Sequence, residues 1–159
     1  MSDTSGELIE QPPIQNINSA LARFPELSGD GVRLPPGAKP QPIHDDQIET
    51  AMAFLRLLRP TTRPTIGSGT LKHDCESWGS VNGLSAYVSR GALVAAAVIV
   101  GYTVRAHRYG ADVQIGISLK DLKNISEETL RLRRERGCKI IATSALTDSE
   151  SHHILKKLS

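Results

Sequence analysis

No proline occurs between residue 65 and residue 159. All nine prolines lie at or before Pro64, seven of them in the first 42 residues. Proline removes a backbone donor and pushes its predecessor toward extended geometry, so the early part reads as loop-rich. The proline-free stretch admits helices and strands throughout. Aromatic residues are also few, six in 159. The core must therefore come from Leu, Ile, Val and Ala, and stacking platforms for single-stranded nucleic acid are scarce. The two cysteines, Cys75 and Cys138, form no C-x-x-C pair. That excludes a disulfide scaffold and favours two reduced thiols. The longest apolar run, Ala92–Val100, has nine residues, against ~20 for a membrane span. The opening residues MSDTSGELIEQPP hold neither the basic nor the apolar part of a secretory signal. The expectation is a cytoplasmic protein with no membrane partner.

What is present is globular in character, with 39% hydrophobic and 23% charged residues. A length of 159 residues allows one domain at roughly 100–200 residues each. Net charge is only +2, but it is unevenly placed. Residues 1–60 carry five Lys and Arg against eight Asp and Glu, whereas residues 61–159 carry fourteen against nine. An acidic first part thus precedes a basic body.

Residues 1–42 read as an extended Pro-rich leader and residues 43–159 as one α+β domain. Within the leader, Ile14, Ile17, Leu21 and Phe24 recur at helical spacing until Pro25. A helix of that length is marginal alone, so the stripe is expected to dock on the body or on a partner. Asp46, with Glu49 three residues on, opens a helix over 46–58 with the stripe Ile48, Ala51, Met52, Leu55 and Leu58. Thr61–Gly69 reads as a linker. A helix over 70–78 is expected to stop at Gly79, and Ser89 caps a second over 90–100. That second helix is apolar almost all round, the pattern of a central helix. Alternation in Tyr102–Ala106 and Asp112–Ile117, with Gly110 between them, predicts a β-hairpin. Ser126 then reads as the cap of a helix closed by Gly137, followed by a short strand Lys139–Thr143. A last helix opens at the Thr147/Glu150 capping box. Strand, Ser126 helix and strand would make one β-α-β crossover. The fold class is a small mixed α+β domain, helices around a hairpin and one short extra strand.

Catalytic and metal motifs fall short of their chemical requirements. Lys72-His73-Asp74-Cys75-Glu76 is dense in ligand types, but tetrahedral zinc sites are built from close ligand pairs and no second pair is spaced for one. A Cys/His nucleophile needs a contact that spacing does not indicate, and neither cysteine sits at a strand-to-helix turn. Ile66-Gly-Ser-Gly-Thr-Leu-Lys72 departs from the phosphate-loop pattern, because His73 follows the lysine and a Pro-rich stretch precedes it. Asp112 and Ser118-Leu-Lys120 lack the second acid of a metal-dependent nuclease site. No enzyme, cofactor or metal is expected.

The remaining signal is basic. Arg131, Arg133, Arg134, Arg136 and Lys139 place five cations in nine positions, and Arg105, His107 and Arg108 mark the hairpin tip. Such side chains contact phosphates. Their alternative use is pairing with Glu127, Glu128 and Glu135 along one helix. Two helices followed by a hairpin over 70–117 are similar in order to a winged helix-turn-helix. That resemblance implies that Arg105–Arg108 form the wing. The helix at the recognition position, 90–100, carries only Arg90 as a polar residue and so offers no base readout. Two functions follow. One is a non-enzymatic nucleic-acid-associated regulatory or accessory protein, binding phosphates through Arg105, Arg108, Arg131, Arg133, Arg134, Arg136 and Lys139. The other is a protein-interaction module or small inhibitor, self-association included, that docks through Ile14, Ile17, Leu21 and Phe24.

Overall fold

The computed structural model describes the backbone of residues 13–147 and the side chains of residues 17–137. Five helices and a small antiparallel sheet follow in the order α1 (Pro13–Arg23), α2 (Asp45–Leu55), β1 (Ile66–Gly67), α3 (Ser68–Val81), α4 (Arg90–Ile99), β2 (Val104–Ala106), β3 (Val113–Ile115) and α5 (Leu119–Thr147). This is the expected α+β class, with a β-hairpin and one short extra strand. The helix–helix–hairpin order read over 70–117 is present as α3, α4, β2 and β3.

Helix α4 is the centre of the core. Ser89 caps it, its hydroxyl accepting from the Ala92 N–H at 3.1 Å, and every residue from Gly91 to Ala97 is buried. Helices α1, α2 and α3 and strand β2 all pack on it. The small side chains of the Gly-Ala-Leu-Val-Ala-Ala-Ala run let those neighbours approach closely, which is how a chain with six aromatics fills its interior. Residues of the leader belong to this core. Ala20, Leu27 and Val32 are buried, and Ile17, Leu21 and Phe24 pack against it. Residues 13–42 are therefore a helix plus a packed irregular stretch rather than extended chain alone, because the α1 stripe finds an apolar surface on α4. The side chain of Ile14 lies outside the described residues.

In the sheet, β3 lies between β1 and β2. Val104 pairs with Ile115, Arg105 with Gln114 and Ala106 with Val113. Period-2 alternation buries Val104, Val113 and Ile115 and leaves Arg105 on the open face. The extra strand is β1, on the far edge of β3, and not Lys139–Thr143. Residues 139–143 continue α5, so no β-α-β crossover forms. Extending a nucleated helix fixes one residue per added hydrogen bond, so a short Ile-Ile run does not divert it.

Other boundaries move for identifiable reasons. Helix α2 starts at Asp45 after His44 and has no side-chain cap. Asp46 instead receives the Ser85 hydroxyl at 3.4 Å, and its carbonyl accepts the Thr50 hydroxyl at 2.9 Å. The expected linker 61–69 contains β1 and the first two residues of α3. Gly79 lies inside α3, where a Cβ would stand 2.4 Å from the Ser85 carbonyl oxygen; it serves close packing rather than termination. Helix α5 begins earlier than Ser126, at Leu119, where the Ser118 hydroxyl accepts the Asp121 N–H at 3.2 Å. Its inward stripe is Leu122 and Thr129, both buried, with the half-buried Ile125, and Ser126 sits mid-helix, donating to Asp74 Oδ1 at 3.2 Å. Gly137 is interior to the helix with open space around it. From Leu130 to Gly137 no residue is buried, so α5 projects beyond the body. The Thr147/Glu150 helix lies outside the described residues. Among the described residues no helix is long and apolar enough to cross a membrane.

Candidate nucleic-acid interface

The hairpin tip gathers exposed cations around one turn. The pairing of β2 with β3 directs Arg105 to the open face opposite Gln114, whose amide nitrogen lies 3.3 Å from His107 Nε2. Gly110, at φ +94°, allows the chain to reverse. The Arg108 guanidinium stands 5.7 Å from the centre of the Tyr109 ring, and Tyr109 is 76% exposed. Sequence reading missed a further cation here, Arg33. Its guanidinium reaches across from the leader to the carbonyls of His107 and Gly110. No local pattern signals it, since its partners are more than 70 positions away. Among the described residues neither Arg105 nor Arg108 forms an ion pair with a carboxylate.

The second basic group lies on α5. Arg131 is engaged by Glu128 and Glu135, on either side of it along the helix. Its hydrogen bond to Glu128 holds that carboxyl below, and the Arg131 guanidinium above, their ordinary ranges. Glu128 and Glu135, rather than Glu127, thus take up this arginine. Arg133 borders a shallow cleft with Asp74, Ser77 and Ser126. Arg133, Arg134 and Arg136 are exposed and unpaired among the described residues. Lys139 falls within α5, its side chain outside the described set. The two groups sit on different elements. Strand β3 leads into α5 through Gly116–Ser118, beyond the end of the strand that follows the hairpin turn.

Helix α4 offers nothing to a groove. It is enclosed, and Arg90 is held by Asp112 Oδ1 at 2.7 Å and donates to the Asp30 carbonyl at 3.2 Å. The Lys72–Glu76 cluster is an internal tie. Glu76 Oε2 accepts Lys72 Nζ at 3.1 Å and the Val88 N–H at 3.0 Å, while Gln47 Oε1 accepts the Ser89 N–H at 2.9 Å. Together they hold the connection into α4. Cys75 is fully buried, and burial pushes its thiol up to about 12. A thiol of that kind is not a nucleophile near neutral pH. Among the described residues no three His, Cys, Asp or Glu side chains are grouped to hold a metal ion. Compared with protein-family models, curated proteins and solved structures, the chain finds no match.

Proposed function

We propose that this chain is a non-enzymatic, nucleic-acid-associated accessory or regulatory protein that contacts phosphates with little base readout. The observation that carries the reading is the hairpin tip, where Arg105 and Arg108 lie exposed beside Tyr109, Arg33 bonds the turn, and among the described residues no carboxylate pairs with Arg105 or Arg108. Arginine is suited to phosphate through its planar fork of donors, and phosphate contacts position a protein without reading sequence. Burial of α4 supports the second half of the proposal, because the element that would read bases in a helix-turn-helix has no free face. Arg133, Arg134 and Arg136 extend the basic surface on α5, and Arg131, already engaged by two glutamates, adds little.

The protein-interaction reading through residues 14–24 has less apolar surface available, since Ile17, Leu21 and Phe24 pack on the chain's own core. A mobility-shift titration with two duplexes of unrelated sequence tests the proposal. It expects both to shift at similar protein concentrations; no shift of either at low salt removes it.

A further inference from the structure

Two leader arginines end on backbone carbonyls of the hairpin. Arg23 donates through Nη2 to the Val104 carbonyl at the start of β2. Arg33 Nη1 donates to the His107 carbonyl at 2.9 Å and to the Gly110 carbonyl at 3.0 Å, one on each side of the turn. Next to it the Val32 N–H donates to the Ala111 carbonyl at 3.0 Å. Gly31, at φ +127°, lies so close that a Cβ would fall 2.3 Å from that same oxygen. The segment is anchored at its other end as well. The Gly91 N–H donates to the Gly29 carbonyl at 3.2 Å, and Arg90 to that of Asp30.

The carbonyls of His107 and Gly110 lie outside the β2–β3 pairing and need partners from elsewhere. One charged nitrogen bridging both closes the turn from outside, and charge-assisted bonds of this kind are the stronger class. Arg108 and Tyr109 are the two residues between those carbonyls, so their placement depends on the bridge. We propose that Arg33 is the positioning residue of the hairpin tip, fixing the turn so that Arg105 and Arg108 meet phosphate together and making that contact depend on a docked leader. The binding half of this inference rests on the nucleic-acid reading above.

The experiment compares the full chain with Arg33→Ala and Arg33→Lys, reading backbone amide NMR relaxation across Arg108–Ala111 and affinity for a labelled DNA duplex. In Arg33→Ala the tip should become more mobile on the fast timescale while α4 keeps its wild-type relaxation, and duplex affinity should fall by roughly tenfold, ~1.4 kcal/mol. Arg33→Lys, whose ammonium can also donate to both carbonyls, should restore both readouts to near wild type. Wild-type relaxation of the tip in Arg33→Ala overturns the positioning role, as does an affinity loss with an unchanged tip or a loosened tip with full affinity. If wild type does not bind the duplex at all, the nucleic-acid reading falls, and backbone relaxation alone then decides whether Arg33 holds the turn.

Discussion

Gly91, at the start of α4, meets the Ser28 carbonyl so closely that a Cβ there would lie 1.7 Å from the oxygen. The backbone of the leader thus rests directly on the backbone of the central helix. Gly91→Ala forces the two apart, at an overpacking cost of about 1–3 kcal/mol or more. Chemical denaturation should show that loss, together with increased proteolysis within residues 24–42. A variant with wild-type stability would mean that the leader does not press on α4.

Cys75 gives a pH signature. Its folded-state thiol is raised from 9.0 to about 12, mainly by burial and then by Glu76. The stability it contributes is fully present below the unfolded value and is lost as pH rises from 9 toward 12, because only the unfolded thiol ionises there. The slope approaches ~1.4 kcal/mol per pH unit within that window. Urea midpoints measured across the window should fall more steeply for the native sequence than for Cys75→Ala. Equal slopes would place the thiol in water.

Glu76 joins Lys72 to the Val88 N–H, and the Lys72 side chain is only 16% exposed. Removing the carboxylate leaves a half-buried ammonium and an unpaired N–H, so Glu76→Ala should lose about 2–3 kcal/mol in a urea titration. Glu76→Gln keeps an oxygen for Val88 and should lose less. A Gln variant as unstable as the Ala variant would show that the Lys72 charge pair, and not the Val88 bond, holds the loop.

The arginines of α5 are expected to differ. Arg131 already has Glu128 and Glu135 as partners, so Arg131→Ala should leave nucleic-acid affinity within about twofold. Arg133→Ala combined with Arg134→Ala should weaken binding at every sequence alike and lower the salt slope by about 2. A larger effect from Arg131 than from that pair would reverse the assignment.

Local rules made some of this architecture readable. The all-apolar run 92–100 could only be a central helix, and the alternation of Val104, Val113 and Ile115 sets the hairpin register. Where local signals misled, a distant contact outweighed them. Ser126 looks like a cap before two glutamates, yet the stripe Leu122, Ile125, Thr129 carries the helix through it and Asp74 takes its hydroxyl. Gly79 looks like a stop, yet it is small to admit the Ser85 backbone. The cations of the tip were legible except Arg33, whose place is set by carbonyls 74 and 77 positions away.

Fluorescence anisotropy of a labelled DNA duplex across a salt series tests the central claim most directly, with the native chain beside the Arg105→Ala/Arg108→Ala double variant. The account predicts binding at low salt that weakens linearly on a log–log plot, with a slope shallower by about 2 in the variant. No binding at low salt, a flat salt dependence, or an identical slope in the variant would contradict it.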